Sequence, residues 1–175
     1  MATPFKAAHR VDPYKTFKFR VLWDNRPVLG VSKVGALKRT TTVVSHRSGG
    51  ENSTDHKSPG RTQYDSLTLE RGVTWDREFE AWANRVHPYA GDLGMDLVHY
   101  KKDLTLEVLN EKGQVGLRYF MYGCWPSEFT AVPALDGSAN AVAVESLKVE
   151  MDGWQRDPAG KEPNEESDPT VSDSA

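Results

Sequence analysis

Apolar and polar residues alternate with period two in run after run of this chain, and that pattern confines most of it to β-strands. Phe17, Phe19, Val21 and Trp23 share one side of a strand, with Lys18 and Arg20 on the other. Asp24-Asn25-Arg26-Pro27 then turns the chain back. Leu67 and Leu69 alternate with Thr68 and Glu70. Leu104, Leu106 and Val108 alternate up to the turn Asn110-Glu111-Lys112-Gly113, and Val115, Leu117, Tyr119 and Met121 alternate on the way back, a hairpin. Short runs bounded by turns pair antiparallel.

Further strands are expected at residues 28–34, ended by Gly35, and at 40–47, 64–71, 129–132 and 141–151. Trp125-Pro126-Ser127 reads as a break. In the last strand the apolar positions change from even, Val142 and Val144, to odd, Leu147, Val149 and Met151. A bulge near Glu145-Ser146 would reconcile the two phases. One segment has helical spacing instead: Trp75, Phe79, Trp82 and Val86 form a single stripe. This predicts a helix over 75–87, capped by Thr74 and stopped by Pro88, with Arg77, Glu80 and Asn84 outward and the aromatic stripe in the core. Asp76, Glu78 and Glu80 suit the positive end of that helix. The expected fold is mainly β: an antiparallel β-barrel or sandwich of about seven strands with one flanking amphipathic α-helix.

The 175 residues suffice for one domain with a core. Residues 1–11 read as a flexible arm, 12–154 as the domain, and 155–175 as an acidic tail too poor in apolar residues to fold. From residue 156 on, two cations face six carboxylates, so the tail carries −4 of the net −3 and the rest is nearly neutral at +1. A neutral body argues against a general nucleic-acid binder. No apolar run approaches the ~18–20 residues that span a bilayer, and residues 1–10 lack a signal-peptide core, so the chain is expected to start in the cytosol.

Catalytic constellations are not apparent. Cys124 is the only cysteine, which excludes an internal disulfide and a multi-thiolate metal site; it reads as a buried, inert thiol. His46 and His56 flank a glycine-rich segment without an evident third ligand, and His9, His87 and His99 show no metal spacing. Gly49-Gly50 and Pro59-Gly60-Arg61 lack the strand and helix context of a phosphate loop. No catalytic residue, metal site or cofactor is predicted.

The segment at residues 47–60 is long, polar and rich in glycine, and it reads as an extended loop ended by a Pro59-Gly60 turn. Such a loop cannot bury its backbone alone. Arg47, Gly49, Gly50, Glu51, Asn52, Lys57, Pro59, Gly60 and Arg61 are therefore expected to need partners from outside the segment.

Several segments together resemble a known family. They are DPY at residues 12–14, FKFRV at 17–21, GVSKVG at 30–35, RSGGEN at 47–52 and KSPGRTQY at 57–64. LTLERGVT at 67–74 leads into the tryptophan-bearing helix, and WPSEF at 125–129 and VESL at 144–147 follow. In this order they resemble the tail-tube proteins of contractile phages, especially the inner-tube proteins of phage-tail-like contractile injection systems. The resemblance implies a structural, non-enzymatic subunit that forms hexameric rings stacked into a hollow tube. It implies assembly in the bacterial cytoplasm into a phage-tail-like particle or virion. The implied partners are other copies of the chain, a sheath protein, baseplate, spike and tube-terminating proteins, and a lumenal cargo or tape-measure protein. The resemblance also implies an adjacent subunit or ring as the source of the partners that Arg47 to Arg61 need. Outward strand residues would line the lumen, with Lys18, Arg20, Thr68 and Glu70 as candidates. The competing readings are a monomeric β-barrel module for a small ligand, and a hydrolase built on an unrecognised His and Asp pair.

Overall fold

A computed structural model of the chain describes residues 14–16, 18–47, 49, 55–89, 91, 96, 98–138 and 141–161. Among them, ten strands and one helix follow in the order β1 (Phe19–Trp23), β2 (Arg26–Pro27), β3 (Val31–Val34), β4 (Arg39–His46), β5 (His56–Tyr64), β6 (Leu67–Gly72), α1 (Glu78–Val86), β7 (Lys102–Leu109), β8 (Val115–Thr130), β9 (Val144–Glu150) and β10 (Gly153–Arg156). Eight strands form one antiparallel sheet in the order β2-β1-β7-β8-β9-β6-β3, with β10 paired to β8. β4 and β5 form a separate two-stranded ribbon. The architecture is the mainly β, antiparallel one that alternation predicts, with ten strands where about seven are expected.

Strand β8 organises the body. Its first part pairs with β7 and β10, and its last part pairs with β9. The sheet thus has two halves that share β8. Val21, Trp23, Leu104 and Met121 from one half meet Leu67, Leu69, Leu147 and Val149 from the other in a single core, each fully or almost fully buried. Burial of each such side chain contributes about 1.5–3 kcal/mol. Helix α1 closes one end of this core. The ring of Trp23 lies 5.9 Å from Phe79 and 5.2 Å from Trp82, and the Trp82 indole donates to the carbonyl of Tyr100 at 2.8 Å.

The central hairpin follows its predicted register, with Leu104 opposite Met121, Leu106 opposite Tyr119 and Val108 opposite Leu117. The first turn places Asp24 and Asn25 at φ 46° and 62°, the paired left-handed residues of a tight hairpin.

Elsewhere the structure corrects the expectations. The helix starts at Glu78 rather than at Trp75: Arg77 is its N-terminal boundary, and the Asp76 carboxylate just before it accepts the Glu78 amide at 3.0 Å. Trp75 is therefore outside the helix and 97 % exposed, not part of the core stripe. Residues 125–127 do not break the chain; β8 runs through them, with Gly123 at φ 60° and a register shift beside Pro126 absorbing the irregularity. Strand 28–34 is shorter, since Gly30 turns the chain between β2 and β3. Tyr64 ends β5 and does not start β6.

β9 pairs with β6 without a bulge at Glu145-Ser146. Glu145 is itself an inward residue in phase with Leu147, Val149 and Met151. Its partner Arg71, on β6, is 1 % exposed. The segment at 47–60 is no loop in its second half: residues 56–60 lie in β5, and Gly60 sits at a bulge opposite Thr42, where an added Cβ would come within 2.5 Å of the threonine hydroxyl. β10 carries the sheet past the expected boundary at Trp154. Residues 1–11, expected as an arm, and the expected tail from 162 on lie outside the described residues.

Candidate functional site

The β4–β5 ribbon is joined to the body at its base. The Asp65 amide donates to the Lys38 carbonyl at 3.0 Å, and the two side chains pair at 3.1 Å. Tyr64 packs edge-on against Trp154 at 6.4 Å. From there β4 extends eight residues, roughly 27 Å at about 3.4 Å per residue. Every position of β4 is exposed. Val43 and Val44, consecutive and so on opposite faces, remain 66 % and 51 % exposed. The Arg47 guanidinium pairs with Asp55 at 3.0 Å near the tip.

The predicted interface residues fall on this ribbon. Arg47 and Gly49 are toward its tip, and Lys57, Pro59, Gly60 and Arg61 are on β5; Gly50, Glu51 and Asn52 lie outside the described residues. His46 and His56 face each other across it with ring centroids 5.9 Å apart. No group of three metal-binding side chains occurs among the described residues.

The lumen candidates do not share a surface. The inner faces of the two half-sheets meet in one core, so their outward faces point away from each other. Lys18 and Arg20 belong to the first half, Thr68 and Glu70 to the second. On the first, Glu107 is 3 % exposed because two cations cover it: Arg20 Nε donates to one carboxylate oxygen at 2.8 Å and Arg118 Nε to the other at 3.0 Å. Arg118 also faces Asp157 at 3.6 Å. On the second, Lys33 pairs with Glu70 at 2.8 Å, beside Thr68 and Lys148, which are cross-strand neighbours. Each outward face carries charges of both signs. Glu107 sits between Leu106 and Val108 in an ordinary outward register, so nothing in the sequence distinguishes it from a solvated carboxylate.

A cleft of about 260 Å³ opens where the two ends of the curled sheet approach, walled by Tyr14, Phe19, Val34, Leu106 and Val108 and edged by Lys15 and Lys18. Tyr14 rests against Gly116, where an added Cβ would lie 2.2 Å from the ring. Lys15 and Lys18 both contact Glu111.

Cys124 is fully buried, and burial pushes its thiol up to about 12. At pH 8 almost no thiolate is present, so labelling by an aromatic disulfide reagent is expected to run about 10³-fold slower in the folded chain than in denaturant. Stopped-flow absorbance reads this directly; equal rates would show that the site opens freely.

No helix among the described residues is long and apolar enough to cross a membrane. Among curated proteins, none matches the chain. Among solved structures, a chain of the anti-feeding prophage tube terminating cap has TM-score 0.72 and 24 % identity, covering 90 % of this chain and 99 % of that one. A chain of the anti-feeding prophage baseplate has TM-score 0.69 and 21 % identity, covering 84 % and 97 %. A chain of the sheath–tube complex of the PVC extracellular contractile injection system has TM-score 0.68 and 22 % identity, covering 83 % and 91 %. At these identities the likeness is one of fold. The family described as T4-like virus tail tube protein gp19 matches residues 15–155, a span that takes in every strand from β1 to β9 and the helix. By that match the chain belongs to the T4-like tail tube protein family.

Proposed function

We propose that the chain is the repeating subunit of the inner tube of a contractile injection particle or phage tail. Copies form hexameric rings, and the rings stack into a hollow tube that sheath contraction drives through a target envelope. The observation that carries this reading is the β4–β5 ribbon, exposed on both faces. An isolated two-stranded ribbon is marginal in water, so it needs cover from neighbours. A heterologous contact that closes gives a ring, and one that repeats along an axis gives a filament.

In the particle the tube would meet a sheath, a baseplate with its spike and a terminating protein. Either outward face of the barrel, turned to the bore, presents mixed charge along which cargo or a tape-measure protein slides without a single-sign field to hold it. No enzymatic step is part of this function. Negative-stain microscopy of the purified full chain is expected to show six-fold rings and short tubes. A monodisperse monomer at every concentration would overturn the reading and favour a ligand-binding barrel.

A further inference from the structure

Trp75 is the most exposed tryptophan among the described residues, and the backbone that follows it is tethered. Arg71 Nη1 donates to the Asp76 carboxylate at 2.9 Å, and Nη2 to the Asp76 carbonyl at 2.6 Å. Asp76 in turn takes the Glu78 amide, and its own amide donates to Thr74 Oγ1 at 3.3 Å. Asp76, which follows the indole, is thereby tied to the buried Arg71, and Thr74, which precedes it, to Asp76, while the indole itself is 97 % exposed. A large aromatic carried on a tethered backbone yet unburied suits an interface anchor, since the segment that presents it is already ordered and its apolar area is still free to be buried.

The apolar cleft lies at the other end of the barrel. β1 runs from Phe19, in the cleft, to Trp23, against α1. β6 runs in the same sense, from Thr68, bonded to Gly35 beside the cleft, to Gly72, just before Trp75. The cleft's volume of about 260 Å³ accommodates one indole. Its edge carries Lys15 and Lys18 around Glu111, and the segment after Trp75 carries Glu78 and Glu80 beside Arg77, so the two ends differ in charge in the complementary sense. The ribbon leaves the body at the cleft end too, since Lys38 and Asp65 join its base beside Gly35.

We infer that Trp75 of one copy inserts into the Phe19–Val34–Leu106 cleft of a second copy, joining successive rings head to tail. A projection at one end and a matching recess at the other form a heterologous contact that propagates without limit. The inference rests on the tube reading and names the ring-to-ring contact.

The test compares full chains by negative-stain microscopy and sedimentation. Trp75→Ala is expected to form rings but to lower ring–ring affinity about tenfold or more per contact, so that tubes shrink to single rings. Val34→Trp, which fills the recess, is expected to do the same, and a thermal melt like that of the unaltered chain checks its fold. Mixed together, the two variants each keep one intact half of the joint and are expected to give ring pairs absent from either alone. Tubes of normal length from Trp75→Ala overturn the inference and leave the tube reading standing. A mixture that yields single rings only overturns it likewise. An unaltered chain that makes neither rings nor tubes overturns both.

Discussion

Replacing Val43 and Val44 together by aspartate is expected to abolish tubes while leaving the barrel folded. The two valines stand on opposite faces of the β4–β5 ribbon, 66 % and 51 % exposed, and they touch nothing in the core cluster. The thermal midpoint should therefore move by less than about 2 °C, as for other exposed substitutions. On the proposed tube function the same positions would be covered by neighbours. A carboxylate buried there without a partner costs several kcal/mol at each site, and the cost repeats in every subunit. Sedimentation velocity and negative-stain images check the outcome. Tubes of ordinary length from the double variant would mean that the ribbon is not an assembly element.

Arg71→Ala is expected to be the most destabilising single change in the body. Its guanidinium is 1 % exposed and lies 4.2 Å from the centre of the Phe79 ring, with Nε turned to the Glu145 carboxylate and the remaining nitrogens on Asp76. Removing it leaves Glu145, 8 % exposed, as a buried charge facing a vacated volume. Loss of one partner from a buried ion pair costs about 3–5 kcal/mol, a large share of the ~5–15 kcal/mol that a domain possesses. For a chain of this size the melting temperature should fall by about 10 °C. The double replacement Arg71→Met with Glu145→Leu should recover most of that loss, because neither charge is then stranded. Differential scanning calorimetry measures both, and an Arg71→Ala midpoint within about 2 °C of the parent would show that the pair contributes little.

Those two regions also mark where the sequence was legible and where it was not. The hairpin of Leu104, Leu106 and Val108 against Met121, Tyr119 and Leu117 was readable because one face is buried within the chain, so alternation and register coincide. Phe79 and Trp82 were readable for the same reason. The ribbon strand HKSPGRTQY was not, since neither of its faces is buried by its own chain and no apolar period marks it. Glu145 looked like a change of phase because a carboxylate in an inward register breaks the apolar pattern, and only Arg71 across the pair explains its place. Trp75 has the right spacing for the helical stripe, but spacing ignores the Asp76 side chain, which accepts the Glu78 amide where the helix begins. Alternation marks Lys18, Arg20, Thr68 and Glu70 as outward strand positions, but alternation cannot tell the two outward faces apart.

The sixteen residues of β8 have a contour of roughly 50 Å at about 3.3 Å each, with an irregularity at Gly123, and are bonded to one set of neighbours over the first stretch and to another over the last. A push or pull along that direction loads a single covalent backbone flanked by hydrogen bonds in shear, which must yield many at once, whereas bonds that unzip yield one by one. The two lobes of the molecule are spliced by a common strand instead of being glued at a seam, and on the proposed tube function a shaft driven through an envelope would gain stiffness from that carpentry.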